Sequence, residues 1–157
     1  MPYWLMKSEP DEFSIDDLAR ARGKTTPWFG VRNYLARNYM REMKVGECAF
    51  FYHSSCPEPG IVGIVEIAKL AHPDVTQFES GSKYFDPKAK RDEPRWFNVD
   101  VRLVEMTRLV TLPEMRAEPA LAGMITLQRG NRLSITPVTP AEWKATVKLA
   151  ARRMPAA

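Results

Sequence analysis

The sequence predicts an α+β domain built on a mainly antiparallel sheet. Its apolar segments follow the order strand, two helices, several strands and a closing helix. The strands outnumber the helices that a parallel sheet needs as crossover connections. The chain has 157 residues, of which 45% are hydrophobic and 27% charged, and these values are typical of one globular domain. We therefore expect residues 1–157 to form a single domain.

The first third of the chain predicts one strand and two helices. Residues 2–7 are a short aromatic strand. Ser14 is a suitable N-cap for the first helix, and Gly23 is expected to close it. An aromatic loop at Thr26–Gly30 then leads to a second helix near Val31–Met43. This helix has one apolar side and one polar, basic side, so it is expected to pack on the sheet with its basic side outward.

The remainder predicts further strands and a capped helix. Apolar or alternating runs predict strands at Cys48–Ser54, Ile61–Ala68, Phe97–Leu103 and Arg132–Thr136. The segment near residues 71–94 contains three prolines and several charges, and so long a connection inside a compact domain is usually functional or mobile. The run Thr139-Pro140-Ala141-Glu142 is a capping box with proline at the first helical position, which predicts the start of a last helix.

Basic residues are concentrated in one part of the chain. The segment from Arg20 to Lys44 contains seven basic residues and one acid, Glu42, whereas the net charge of the whole chain is only +4. A local field of this sign attracts a polyanion. Nucleic acid is therefore the expected partner, and a solvated surface without a partner is the alternative.

The residues needed for metal or catalytic chemistry are sparse. The two histidines and two cysteines are His53, His72, Cys48 and Cys56. Cys48 and His53 would lie on opposite faces of one strand, which argues against both a metal site and a nucleophile pair. No glycine-rich phosphate-binding motif occurs. We therefore expect no metal, no cofactor and no catalytic residue.

The location of the protein is predicted from weaker signals. No apolar run reaches the length of a membrane helix, and no signal peptide is visible at the start of the sequence. Two cysteines are too few for a disulfide scaffold. These features predict a cytoplasmic protein with reduced thiols and no membrane contact.

Aromatic and polar residues suggest a site for a nucleobase. Trp28 lies in a loop between Pro27 and Gly30, and Arg32 and Asn33 follow at the start of the second helix. A tryptophan ring can stack on any base, and an asparagine amide can both donate to and accept from a base edge. The alternative is that Trp28 is a core residue.

Several segments together resemble the EVE domain family. The matching segments occur in order along nearly the whole chain and are Tyr3–Pro10, Trp28–Asn38, Phe51–Ser54, Pro59–Gly63, Asp86–Lys88 and Arg132–Val138. The resemblance implies a PUA-like fold, which is a small, curved, mainly antiparallel β-barrel flanked by helices. It also implies kinship with YTH domains, which hold a methylated adenine in an aromatic cage. The implied function is recognition of a modified base, notably a modified cytosine, in DNA or RNA.

The resemblance also implies roles for individual residues. The expected base pocket consists of Lys7 and Ser8 at its edge, Trp28 as one wall, Arg32 and Asn33 facing the base or its phosphate, and Tyr52, His53 and Ser54 as the opposite rim. Candidates for a second aromatic wall are Tyr84 and Phe85. The residues expected to contact phosphates are Arg20, Arg22, Arg37, Arg41 and Lys44.

Two other functions remain open at this point. A PUA-like enzyme acting on RNA or DNA would use Lys7, Tyr52 and His53 as catalytic residues. A protein-interaction module would use the basic face to bind an acidic protein. A monomer is expected, and the sequence leaves open which modification is read and on which nucleic acid.

Overall fold

A computed structural model describes residues 2–152 of the chain, which form one six-stranded sheet with four α-helices. The strands are β1 Tyr3–Ser8, β2 Thr25–Pro27, β3 Cys48–His53, β4 Gly60–Pro73, β5 Phe97–Thr111 and β6 Ile135–Val138. The helices are α1 Ile15–Arg20, α2 Tyr34–Glu42, α3 Leu112–Ala117 and α4 Pro140–Ala151. Within residues 2–152 no helix is long and apolar enough to cross a membrane.

The sheet is mixed, with strand order β2-β5-β4-β3-β1-β6. Only β1 and β3 run parallel, and every other neighbouring pair is antiparallel. This arrangement confirms the predicted α+β class. Among the described residues β2 and β6 are the two ends of an open sheet, so the predicted barrel is not confirmed.

Each face of the sheet carries its own hydrophobic core. Successive residues of a strand point to opposite faces, so Trp4 and Met6 belong to one core and Leu5 to the other. α1 and α2 contribute to the core that contains Trp4, which we call the first core. α3 and α4 contribute to the second core, which contains Leu5. The two faces of the sheet are therefore covered by different helices.

Capping side chains set the helix boundaries. The predicted N-caps are confirmed, since Ser14 forms a capping box with Asp17 and Thr139 forms one with Glu142. The role predicted for Gly23 is wrong: α1 already ends at Arg20, and Gly23 lies in the following 3₁₀ turn with φ +64°. A positive φ is a conformation that glycine adopts without the steric cost of a Cβ atom.

The central strands are longer than the sequence predicts. β4 runs to Pro73 and β5 to Thr111, and the register between them shifts at four places. Such shifts interrupt the strict alternation by which strands are recognised in a sequence. β2 was not predicted, because its three residues are too few to show a pattern.

Candidate nucleic-acid interface

A cavity of about 620 Å³ opens at the carboxyl end of β1. Its walls come from β1, the loop after it, β2, the β2–α2 connection, the turn after β3, the 74–96 segment and the residues before β6. The lining residues are Lys7, Ser8, Glu9, Glu12, Phe13, Thr26, Pro27, Trp28, Phe29, Gly30, Val31, Arg32, Ser54, Ser55, Lys83, Tyr84, Arg132 and Ser134. A volume of this size is typical of small-molecule sites.

Strand pairing brings distant segments to the cavity. β1 and β3 are parallel with Ser8 opposite His53, so their carboxyl ends meet at one edge of the sheet. The amide of Ser54 donates to the carbonyl of Ser8 at 3.0 Å. On the other side of β1, the amide of Lys7 donates to the carbonyl of Ser134 at 2.7 Å. The lining residues near these strand ends are therefore held by backbone hydrogen bonds.

Trp28 is both a core residue and a wall of the cavity. Its backbone amide donates to the carbonyl of Val99 at 2.8 Å, which fixes the loop that follows β2. Its ring contacts Phe51 edge-to-face, with 5.2 Å between ring centroids, and only 6% of the residue is exposed. The two interpretations of Trp28 from the sequence are therefore compatible. The ring that forms the wall is immobilised by the first core.

Tyr84 lies across the β2–α2 connection because position 30 is a glycine. Gly30 has φ +85°, and a Cβ atom built there would lie 2.7 Å from Cζ of Tyr84. The Tyr84 ring also meets Phe29 edge-to-face at 5.9 Å. Of the two candidates for a second aromatic wall, Tyr84 lines the cavity, whereas Phe85 does not.

Arg32 joins the β2–α2 connection to the 74–96 segment. Its Nε and Nη2 donate to the carbonyl of Tyr84 at 3.1 and 2.8 Å. Nη1 donates to the carbonyl of Val31 at 2.9 Å and to Oδ2 of Asp74 at 3.1 Å, and Nη2 also donates to Oγ1 of Thr76 at 3.0 Å. A guanidinium has five N–H donors, and these contacts occupy all of them. Arg32 lines the cavity but has no free donor for a base or a phosphate.

Asp74 anchors the same connection from within the protein. Its side chain is fully buried and accepts hydrogen bonds from the Gly30 amide at 2.7 Å, the Thr76 hydroxyl at 2.6 Å and Arg32. Burial alone would raise the pKa of this carboxyl group, but the hydrogen bonds from Thr76, Gly30 and Arg32 hold the pKa below its usual value. Asp74 is therefore a carboxylate that fixes Tyr84 through Arg32.

Lys7 places a positive charge in the cavity wall. Its Nζ lies 5.6 Å from the centroid of the Tyr52 ring, and no carboxylate among residues 2–152 forms an ion pair with it. Burial lowers its pKa from the ordinary lysine value. The ammonium group thus retains donors for an oxygen or nitrogen acceptor that enters the cavity.

Side chains from two loops that line the cavity contact each other. Glu12 pairs with Lys83, and the Tyr84 hydroxyl donates to Oε2 of Glu12 at 3.3 Å. The hydrogen bond from Lys83 holds the pKa of Glu12 below its usual value. These residues are partly exposed, so the bridge is open to solvent and to screening by salt.

Four predicted pocket residues lie outside the cavity lining. Asn33 is the N-cap of α2 and accepts a hydrogen bond from the Ala36 amide at 3.0 Å. Tyr52 is buried in the second core beneath Lys7, and Phe85 is 40% exposed. His53 accepts a hydrogen bond through Nε2 from the amide of Ile15 at 3.1 Å. The positions of Asn33, Tyr52 and His53 indicate that they support the walls.

The contact between His53 and Ile15 predicts a pH-dependent stability. Ile15 is the first residue of α1, whose free amides need acceptors, and Nε2 can accept only while it is unprotonated. Burial lowers the pKa of His53 below 6.5, so the unfolded chain binds the proton more tightly. We expect the stabilisation to be complete above pH 6.5 and to be lost below it, at a cost of about 1 kcal/mol. Thermal unfolding of wild type and His53→Gln at pH 7.5 and 5.5 tests this, and equal pH dependence in both proteins would contradict it.

The predicted phosphate-contacting residues lie on separate elements. Arg20 ends α1 and pairs with Asp17 at 2.9 Å, whereas Arg22 is exposed in the following 3₁₀ turn. Arg37 and Arg41 lie on α2, and Lys44 follows that helix. Among residues 2–152 no group of three or more histidines, cysteines or acids could hold a metal ion.

The sequence interpretation missed several wall residues. Phe13 and Phe29 are aromatic, while Glu12, Lys83, Arg132 and Ser134 supply polar groups. Phe29 stands next to Trp28 in the predicted aromatic loop, and that position was an available signal. The other residues come from loops that meet only through the fold.

A comparison with known protein families identifies the family of this α+β domain. The EVE domain model matches residues 2–149, and the chain belongs to this family. The family predicted from the sequence is thereby confirmed.

Named relatives cover most of the chain. Human thymocyte nuclear protein 1 is 46% identical over 165 residues, which is 94% of this chain and 73% of the relative. The crystal structure of human THYN1 protein in complex with 5-methylcytosine containing DNA has TM-score 0.93 and 43% identity, over 98% of this chain and 100% of that chain. A Pseudomonas putida protein structure has TM-score 0.90 and 48% identity, over 94% of this chain and 99% of that one.

A more distant structure shows the same fold. The YTH domain of the Zygosaccharomyces rouxii MRB1 protein, in complex with N6-methyladenosine RNA, has TM-score 0.56 at 14% identity and covers 94% of this chain and 85% of that chain. This chain and the YTH domain therefore share a fold.

Proposed function

We propose that this protein binds DNA and holds one 5-methylcytosine base in the cavity at the end of β1. The observation that carries the proposal is the relative bound to DNA containing that base, which has TM-score 0.93 and 43% identity with this chain. The cavity supports the proposal because the Trp28 ring, the Tyr84 ring and the Lys7 ammonium line the same space, and within residues 2–152 no carboxylate pairs with Lys7.

The chemistry of the walls suits a base that has left its stack. Trp28 and Tyr84 offer aromatic surface, and stacking of a base on an aromatic side chain contributes about 1–3 kcal/mol. Lys7 offers donors to the carbonyl oxygen or ring nitrogen of a pyrimidine edge. Extrusion of a base from a duplex costs a few kcal/mol, which the stacking and the Lys7 contact would offset.

The methyl group itself accounts for a limited preference. Burial of one methyl-sized group contributes about 0.8 kcal/mol, which corresponds to roughly a fourfold preference over unmodified cytosine. Any larger preference would require a further contact that depends on the methyl group.

Neighbouring residues provide a matched test of the second wall. We expect Tyr84→Ala to weaken binding of a 5-methylcytosine oligonucleotide and to remove its preference over the unmodified one, because a cavity wall is lost. Phe85→Ala is the control, since Phe85 is adjacent in sequence, exposed and outside the cavity lining. Fluorescence polarisation with matched DNA and RNA oligonucleotides gives both affinities. Equal behaviour of the two variants would contradict the proposed wall, and a preference for RNA would contradict the choice of DNA.

We also propose that the protein binds without turnover and acts in the cytoplasm. His53 and Tyr52, two of the three residues that an enzyme would use, lie outside the cavity lining. Prolonged incubation with labelled oligonucleotides tests the first statement, and any product that depends on Lys7 would contradict it. Cell fractionation tests the second.

A further inference from the structure

One side of α2 carries two arginines, of which Arg37 is half-buried and Arg41 is exposed. Tyr34, Arg37 and Arg41 stand at spacings of three and four residues and therefore share one side of the helix. Neither arginine pairs with a carboxylate among residues 2–152. We call these three residues the α2 face.

Aromatic rings hold the arginines of the α2 face in place. The Arg37 guanidinium lies 4.8 Å from the Tyr34 ring centroid, and its Nη1 donates to the carbonyl of Arg95 at 2.9 Å. Its Nε and Nη2 donate to Oδ1 of Asn38 at 3.2 and 2.9 Å. The Arg41 guanidinium lies 4.9 Å from the Phe97 ring centroid. Arg37 therefore keeps one N–H donor on each of Nη1 and Nη2, and no hydrogen bond within residues 2–152 occupies the donors of Arg41. Stacking leaves the charge of both groups in place, so these donors can contact phosphate oxygens.

A continuous stack connects the α2 face to the cavity. Tyr34 stacks on Trp96 with 4.9 Å between centroids and 25° between ring planes. Trp96 in turn lies 5.5 Å from the Arg32 guanidinium, which lies 5.6 Å from the ring of Tyr84 in the cavity wall. The α2 face is therefore rigidly positioned beside the cavity.

We propose that the α2 face binds the sugar–phosphate backbone of the strand that flanks the base in the cavity. Tyr34 and Arg41 are separated by about 10 Å along the helix, which is the rise of about three nucleotides of one strand. The positive charges of Arg37 and Arg41 are complementary to the negative charges of the phosphates. This inference rests on the proposed function for its choice of strand, but its effect is independent of base modification.

The test uses a charge-matched pair of double variants. In Arg37→Gln/Arg41→Gln the plot of log affinity against log salt concentration should lose about two units of slope, because each phosphate contact contributes roughly 0.9. The control is Lys144→Gln/Lys148→Gln, which removes the same charge from exposed positions on α4, against the other face of the sheet. The control should change the slope by less than half a unit.

The readouts separate this inference from the function it rests on. Modified and unmodified oligonucleotides should weaken by the same factor in the α2 variant, so their affinity ratio stays at the wild-type value. An equal loss of slope in both double variants, or no loss in the α2 variant, would overturn the inference. Absence of any preference in the wild type would instead remove the base-reading proposal and leave the slope comparison valid.

Discussion

Replacement of Trp28 by alanine is expected to abolish the preference for 5-methylcytosine and to weaken binding about 5- to 150-fold. The range corresponds to the loss of one stacking contact worth about 1–3 kcal/mol. Trp28 is 6% exposed and packs on Phe51, so the same change should also lower the free energy of unfolding by about 3–5 kcal/mol. Polarisation titrations and denaturant unfolding measure the two effects.

A second tryptophan provides a control that distinguishes lower stability from loss of the base-binding site. Trp143 stacks between Tyr3 and Phe50, at centroid distances of 4.4 and 3.9 Å, and belongs to the opposite core. Trp143→Ala should destabilise the protein while leaving the preference for the modified base intact. If the preference survives in Trp28→Ala, or is lost equally in both variants, Trp28 is a core residue only.

Replacement of Asp74 by alanine is expected to lower the free energy of unfolding by about 3–5 kcal/mol, since it removes the partner of a part-buried guanidinium. It also leaves the amides of Gly30 and Thr76 without their acceptor. Asp92→Ala is the control because Asp92 is an exposed acid of the same 74–96 segment. Urea unfolding of the two variants provides the comparison.

Replacement of Asp74 should also change base selectivity, because Asp74 supports the cavity wall formed by Tyr84. Asp74 holds Gly30 and Arg32, and Arg32 holds the carbonyl of Tyr84, so the second wall loses its support. We expect Asp74→Ala, measured where it remains folded, to lose selectivity for the modified base as Tyr84→Ala does. Full selectivity in a folded Asp74→Ala protein would show that the 74–96 segment holds its position without this anchor.

The pocket residues that the family resemblance implied and that line the cavity lie mainly at strand ends. Lys7 and Ser8 are the last two residues of β1, and Ser54 follows its parallel neighbour β3. Trp28 follows a strand that was itself too short to predict. Alternation along β3 explains why Tyr52 belongs to the second core whereas Phe51 belongs to the first. The matching motif Phe51–Ser54 alone does not show that Phe51 and Tyr52 enter different cores.

The role of Asn33 was within reach of sequence rules, whereas that of Arg32 was not. Asparagine immediately before a helix is a common N-cap, and Asn33 has that role. Arg32 bonds to Asp74, Thr76 and Tyr84, which lie 42 to 52 residues away. Partners at such separations come from the fold, so a sequence shows a charged residue but not whether its donors are occupied.

The central claim is that the base contacts Trp28, and the indole N–H resonances of the four tryptophans report on it directly. Those of Trp4 and Trp143 serve as references because neither residue lines the cavity. The Trp4 indole donates to Glu47 at 3.0 Å, and Trp143 stacks on Tyr3 and Phe50 in the second core. Titration of ¹⁵N-labelled protein with a 5-methylcytosine oligonucleotide, with the Trp28 signal assigned through Trp28→Phe, should shift that signal and saturate it at the Kd from polarisation. An oligonucleotide that binds with the same Kd while the Trp28 signal stays unchanged would contradict the account.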